Sequence, residues 1–506
     1  MASDRLFIGI DSGTQGTKGV VLSEKKRKII AQASYPYGLI ENDRGGREQE
    51  PRKWLEACKS VLKTMLADSN VDPQDVQAIG VSGQQHGMVP LDSKGNVLRP
   101  AKLWCDTETT AQCMTLTQRV GGEAAAVELV GNQFSAGFTA SKILWLKENE
   151  PENYEKLAQI LLPHDYINYW LTGNYAAENG DASGTAYFDV KKRNWSHRVL
   201  QAIDQGRDLS LCLPHIIESA EPCGIIRSEL AEEFGLPRMV LVSSGGGDNM
   251  MAAIGTGNVI PGLVTASLGT SGTIFAHTER PVIDPSGELA AFCSSSGGWL
   301  PLVCTMNVTV ATELVRSLLG FDLEQMNQHI EQTAAGSEGL MLIPYFNGER
   351  TPSLPSATAT LGGMTSINMR PGPIARAAME GATFGLRYGL DVMLRNGIMP
   401  DEIRLVGGGS HSPVWRQLVA DIFRYPVVCL DHEEAGAMGA AIQALWCTES
   451  TLSKDPIELK EITELYVAID GASKCLPHRE TSTKYTELYD RYTAFGDCLI
   501  QSYHDL

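Results

Sequence analysis

The chain has 506 residues, of which 43% are hydrophobic, 20% charged and 7% aromatic; it is too long for one ordinary core and too apolar for wholesale disorder. Its 42 Lys+Arg against 60 Asp+Glu leave a formal net charge of −18, a field that repels polyanions and excludes a general footprint for nucleic acid or an anionic membrane. Any phosphate must be held locally, by backbone amides, a metal or a few placed side chains.

The first elements are strands at 5–10 and 18–23, joined through Gly13-Thr14-Gln15-Gly16-Thr17. Segments rich in β-branched residues on either side of a small-residue turn describe a β-hairpin. Its tip offers backbone N–H groups and hydroxyls with no bulky side chain in the way, which suits phosphate oxygens. Asp11 ends the first strand, where a carboxylate either caps the turn or holds a magnesium ion directly or through water. The opening apolar run is broken by Gly9 and stopped by Asp11, so no secretory leader is expected. No stretch reaches about 18 uninterrupted apolar residues, so no membrane span is expected. The 11 cysteines are odd in number, scattered and never in a Cys-x-x-Cys pair, a pattern expected of free thiols in a reducing, cytoplasmic setting.

A helix at 50–66, a strand at 76–82 and a helix at 140–148 continue an α/β alternation. Ser82-Gly83-Gln84-Gln85-His86-Gly87 and Leu103-Trp104-Cys105-Asp106 supply amide, imidazole, indole and carboxylate groups. That is the equipment of a polyol pocket, hydrogen bonds to adjacent hydroxyls and an aromatic face for C–H surfaces. An apolar strand at 239–242 then runs into Gly245-Gly246-Gly247-Asp248-Asn249 and a helix-like segment. The glycines let backbone approach a ligand while Asp248 projects from the strand end, either as the carboxylate that accepts a hydroxyl proton or as the N-cap of the following helix.

Ala266-Ser267-Leu268-Gly269-Thr270-Ser271-Gly272-Thr273 repeats the first hairpin 256 residues later, almost half the chain. Two similar domains facing one cleft are therefore expected, 1–256 and 257–506. A strand at 403–406 leads into Gly407-Gly408-Gly409-Ser410-His411-Ser412 and a helix reaching 424, with glycines suited to flat contact with a base or ribose. The run Ala435-Gly436-Ala437-Met438-Gly439-Ala440-Ala441 reads as a tightly packed helix at a core or hinge, with no ligand. The tail carries Tyr485, Tyr489, Tyr492 and Phe495, expected to pack on either domain or on a second copy of the chain in a homodimer.

Neither Gly-x4-Gly-Lys-Ser/Thr nor a Gly-x-Gly-x-x-Gly after the first strand is present. Instead, the two hairpins resemble the phosphate hairpins of the FGGY carbohydrate kinases, relatives of actin and hexokinase. Gly137 to Asn149 fits that family's first signature at every constrained position. Ala359-Thr360-Leu361-Gly362-Gly363-Met364 through Glu380 is similar to the second, with Pro373 where an acidic or amide residue is usual. The resemblance runs from about residue 5 to about 447 and implies an α/β fold of two ribonuclease-H-like domains. The sugar-side motifs are most similar to the D-xylulose-phosphorylating subgroup, with Gln85 where Met is usual there.

The resemblance further implies ATP as phosphoryl donor and Mg2+ at Asp11. Asp248 would be the general base, and Gln85, His86, Trp104, Asp106, Asp248 and Asn249 the sugar contacts. Gly13, Thr14, Gln15, Lys18, Gly269, Thr270, Ser271, Gly408, Gly409 and Ser412 would contact the nucleotide. The product would be D-xylulose 5-phosphate. Kinases for another ketose or polyol, such as ribulose or glycerol, and a non-catalytic ATP-driven switch of the actin or chaperone kind are the competing readings.

Overall fold

The computed structural model describes residues 4–504. They form two compact units interleaved in sequence. Unit 1 takes the residues up to Ile260, His277–Pro301 and Glu434–Val467; unit 2 takes Pro261–Ala276, Leu302–Glu433 and the residues from Ala468 on. The expected boundary after residue 256 lies beside the first of these crossings, while 277–301 and 434–467 are segments of the second half that return to unit 1.

Unit 1 is built on the strands β1 (Leu6–Ser12), β2 (Gly16–Ser23), β3 (Lys28–Pro36), β4 (Val76–Gly83), β5 (Pro222–Ile225), β6 (Leu241–Ser243) and the short β7 (Gly246–Gly247). Their order is β5-β6-β4-β1-β2-β3, with β7 also on β4. Leu6, Phe7, Ile8 and Ile10 of β1 are all buried, as expected of a central strand covered on both faces. Met239, apolar in sequence, is 70% exposed, so the strand expected at 239–242 starts two residues later. The helix Pro51–Leu66 begins on a proline and buries Trp54, Ala57, Cys58, Val61, Leu62 and Met65, a single apolar stripe.

Unit 2 is built on β8 (Leu263–Leu268), β9 (Gly272–Ala276), β10 (Leu302–Thr305), β11 (Glu402–Val406), β12 (Val427–Leu430) and β13 (Ile469–Cys475), in the order β10-β9-β8-β11-β12-β13. The two sheets match strand for strand. Read from β5 or from β13, each runs antiparallel, parallel, parallel, antiparallel, antiparallel. The repeat seen in the sequence is thus a repeated ribonuclease-H-like core, with the two Gly-Thr turns at equivalent places, between β1 and β2 and between β8 and β9.

The C-terminal helix Arg479–His504 belongs to unit 2. Tyr485 donates to Glu380 (2.7 Å) and accepts from Arg376 (2.7 Å). Phe384 packs edge-on against Tyr485 and at a tilt against Tyr489 and Tyr492, and Phe495 lies against Gly362. The tail's aromatic residues are therefore spent within unit 2. All 11 cysteines are free, and among the described residues no helix is long and apolar enough to cross a membrane.

The helix Ala435–Leu452 is the tightest contact of unit 1. A Cβ on Gly9 would lie 1.9 Å from Ala437 O, one on Gly80 2.0 Å from Ala440 O, and one on Gly439 1.8 Å from Met251 O. Backbone meets backbone, so no side chain can yield. Gly80→Ala is expected to lower unfolding free energy by about 3 kcal/mol or more. Gly385→Ala, in a helix interior with nothing within 4 Å of the added methyl, should instead stabilise by about 0.5–1 kcal/mol. Chemical denaturation of the two variants checks both.

Candidate active site

Asp11 and Asp248 both belong to unit 1. Asp11, next to last in β1, pairs with Ser82, next to last in β4, and its Oδ1 accepts a 2.6 Å hydrogen bond from the Ser82 hydroxyl. Burial raises the Asp11 pKa; the Ser82 bond works against this, and Glu434 adds to it. Lys18, opposite Asp11 on β2, is paired with Glu434 at 2.9 Å. Asp248 is the first residue of the helix Asp248–Gly255; Gly247, not Asp248, holds the N-cap position. The helix-cap reading of Asp248 is thereby removed.

The Asp248 carboxyl is held from one side. Its Oδ1 accepts from the Asn249 N–H at 2.7 Å and from Asn249 Nδ2 at 2.9 Å, while among the described residues none donates to Oδ2. Its crowded, poorly solvated position, and next the Asp11 charge, push its pKa up to about 7. One carboxylate oxygen is anchored and the other is open.

His86 has φ 62, in the left-handed region that a non-glycine residue rarely adopts. Its carbonyl accepts from Lys142 Nζ at 2.6 Å and Thr139 Oγ1 at 3.1 Å, and its ring packs against Phe138 and Phe292. Lys142 also donates to Gly137 O at 2.7 Å. Burial drives the Lys142 pKa down to about 7, against the pull of Asp106. The segment 137–149, which the sequence marked only as a signature, thus fastens the loop carrying Gln85 and His86.

The two hairpin turns share one device. In the first, Tyr37 OH donates to Gly13 O, Gln49 Nε2 to Thr14 O and Tyr37 N–H to Gln15 O. In the second, Thr309 N–H donates to Gly269 O and Val308 N–H to Thr270 O. The carbonyls are tied back, and among the described residues nothing occupies the N–H groups of Thr14, Gln15, Thr270 and Ser271. Gly407, with φ 86, lies directly against Leu268 and Gly269, so within unit 2 the glycine loop Gly407–Gly409 touches the second hairpin.

Other expected contacts have protein partners. Thr14 Oγ1 accepts from Trp104 Nε1 (3.0 Å) and donates to Gln84 (3.2 Å), and Gln84 donates to Gln49 (2.8 Å). Ser412 caps the helix Pro413–Phe423 through Trp415 N–H and donates to Asn327. Asp106 is fully buried, and its carboxylate accepts from the Arg47 and Glu108 N–H groups and from Lys102. Glu48, Asp106 and Glu108 form the one carboxylate cluster with metal-ligand spacing among the described residues. The Lys102 ammonium sits inside it at 3.0, 3.1 and 2.6 Å and 4.0 Å from the Trp145 ring centre. The cage is filled by a protein cation.

Sequence reading missed a second buried group. His164 Nδ1 lies 2.7 Å from Asp181 and Nε2 3.0 Å from Asp165, and Glu178 accepts from the Gly180 and Asp181 N–H groups. Burial opposes a charged His164, but the carboxylates outweigh it and raise its pKa. A Cβ on Gly83 or Gly245 would strike His164, and one on Gly246 would lie 3.3 Å from Glu178. This cluster therefore backs the glycine strand that leads to Asp248. No local spacing in the sequence announces it, because its members come together only through the fold.

The family model for the N-terminal domain of the FGGY family of carbohydrate kinases matches residues 6–255 and that for the C-terminal domain matches 264–447. The chain belongs to the FGGY family of carbohydrate kinases. It is 43% identical over 491 residues to a xylulose kinase of Haemophilus influenzae, covering 96% of this chain and 98% of that protein. Among solved structures, a Brucella ovis xylulose kinase is similar at TM-score 0.90 with 28% identity, covering 98% of this chain and 99% of that one. A Lactobacillus acidophilus gluconate kinase is similar at TM-score 0.90 with 25% identity, covering 99% and 100%. Solved kinases named for different sugars thus share this fold.

Removing the cation from the carboxylate cage tests its structural role. Lys102→Met leaves Glu48, Asp106 and Glu108 facing one another without compensation, and a thermal or denaturant melt should register a loss of about 3–5 kcal/mol.

Proposed function

We propose that this FGGY kinase transfers the γ-phosphoryl group of ATP to the 5-hydroxyl of D-xylulose, giving D-xylulose 5-phosphate and ADP. The observation that carries the reading is the one-sided anchoring of Asp248, with Oδ1 tied to Asn249 and Oδ2 left open. The extended identity to a xylulose kinase supports the choice of sugar. His86, Trp104 and Asn249 are the proposed sugar contacts. Asp106 acts behind them by holding the 102–108 turn. The open N–H groups of the two hairpin turns, with Lys18, are the proposed phosphate contacts, and Gly408, Gly409 and Ser412 frame the adenosine.

In the chemical step the hydroxyl oxygen attacks the γ-phosphorus, the bond to the ADP oxygen breaks, and the hydroxyl proton passes to Asp248 Oδ2. Such transfer proceeds through a loose transition state in which the proton leaves late, so orientation by Asp248 matters as much as its basicity. Asp11 fits a magnesium ion: its Oδ2 has no described donor, and Gly436 beside it carries no side chain to block approach. Bound there, the ion would neutralise charge on the phosphates. Eleven free thiols and the absence of a general polyanion footprint are in keeping with a cytoplasmic enzyme of small-molecule metabolism.

A coupled assay of ADP release with D-xylulose, D-ribulose, glycerol and D-gluconate tests the substrate. The largest kcat/KM is expected with D-xylulose; a larger value for glycerol or gluconate overturns the sugar assignment, and no stimulation by any of them favours a nucleotide switch.

Asp248→Asn should cut kcat by about 10²–10⁴ while sugar affinity stays within roughly tenfold. The base must be ionised, so wild-type kcat/KM should hold above the Asp248 pKa and fall as pH drops through it. Magnesium at Asp11 offsets one of the charges that raise this pKa, so the midpoint is expected at or below about 7. A flat acid limb in the wild type would remove Asp248 as the titrating base.

A further inference from the structure

Gln85 stands next to His86 in the sugar loop, yet its side chain is turned away from any ligand role. It is 4% exposed. Its Oε1 accepts from Asn249 Nδ2 at 2.9 Å, and its Nε2 lies 3.2 Å from the Met250 sulfur. Its Cγ runs under Gly247, where an added Cβ would be 2.7 Å away. Both ends of the amide are occupied by the turn that carries Asp248.

Asn249 Nδ2 divides its two hydrogens. One goes to Gln85 Oε1 at 2.9 Å and the other to Asp248 Oδ1 at 2.9 Å. With only the Asp248 bond, the Asn249 amide could rotate, swing its oxygen toward the carboxylate and repel it. The Gln85 oxygen is a pure acceptor, so it admits only the NH2 end of Asn249 at that point. The arrangement decides which way the Asn249 amide faces and which Asp248 oxygen is left open.

We infer that Gln85 is a positioning residue of the phosphoryl transfer, acting through Asn249 to aim Asp248 Oδ2, and that its side chain does not select the sugar. This rests on the reading of Asp248 as the base. A methionine at 85 could fill the same space, but its thioether is a weak acceptor and would release the Asn249 amide. The freed Asn249 amide would no longer hold Asp248 with one oxygen anchored and the other open, and the aim of the carboxylate would be lost.

Steady-state kinetics of Gln85→Met, Asn249→Ala, the double variant and Asp248→Asn test the inference, with melting temperature as folding control. Gln85→Met should lower kcat by about tenfold, leave KM for D-xylulose within about threefold and keep the order of preference across the four sugars. Added to Asn249→Ala, it should lower kcat no further, because the two act in series. Gln85→Glu keeps an acceptor oxygen at the same place but adds a negative charge beside Asp248, so its acid limb should move to higher pH while the plateau kcat above that limb stays within about threefold of wild type. A raised KM at unchanged kcat, or a reordered sugar preference, would place the effect of Gln85 on sugar binding and not on the chemical step, and overturns the inference. So would full additivity with Asn249→Ala, or unchanged kinetics in a folded Gln85→Met. If Gln85→Met does not fold, loss of the plateau kcat in Gln85→Glu overturns it, and its retention alongside a slow Asn249→Ala supports it. Near-normal kcat in Asp248→Asn would instead sink the base assignment itself, a separate outcome.

Discussion

The architecture of unit 1 depends on the bare backbone contact made by the helix Ala435–Leu452. Glycines at 9, 80 and 439 let this helix lie directly on β1, on β4 and on the helix Asp248–Gly255. Those are the elements that carry Asp11, Ser82 and Asp248. From the same helix, Gln443 accepts from Ser243 Oγ and Gly245 N–H and donates to Ser244 and Gly245 O. One helix therefore sets the spacing of both carboxylates. Dispersion and apolar burial would be satisfied by many packings, but backbone against backbone with no intervening methyl admits one separation.

On that frame the chemistry is arranged by supporting contacts more than by numerous groups facing outward. Asp248 is aimed by Asn249, Asn249 by Gln85, and the His86 loop is fastened by Lys142 and Thr139. Behind the glycine strand, His164 sits between Asp165 and Asp181, giving a buried acidic cluster a compensating charge. Lys102 does the same for Glu48, Asp106 and Glu108. In both places a cation is enclosed by more carboxyls than it can neutralise; Asp106 and Glu178 also accept backbone N–H groups, and burial pushes Asp165 and Glu178 toward the neutral acid.

The parts legible in the sequence are those whose chemistry is local. A Gly-Thr turn between β-branched runs defines a hairpin by itself, and its recurrence half a chain later announces the duplicated sheet. The glycine run before Asp248 and the small-residue helix at 435 were equally plain, since glycine at such density has few other uses. What could not be read is the product of long-range packing. Asp106 looks like a pocket carboxylate until Lys102 is seen beside it, and nothing local in the sequence shows that Ser412 caps a helix and donates to Asn327. Met239 looks like strand core, yet it ends up at the surface because the β6 register starts two residues later. The return of 277–301 and 434–467 to unit 1 likewise has no signal in composition or periodicity.

The interleaving of the units constrains how the molecule can be made and divided. The chain passes between them five times, and the helix that seats β1 and β4 lies more than 400 residues after the first and about 350 after the second. As the chain leaves the ribosome, the strands of the first sheet emerge with their glycine seats uncovered, and five strands of the second sheet are complete before the covering helix arrives. The first half synthesised is thus among the last to become fully native, and folding cannot proceed simply from the N-terminal domain onward. The same geometry means that no continuous fragment corresponds to either unit: a cut near the midpoint yields one piece without its keystone helix and another carrying that helix without the strands β1 and β4 on which it rests.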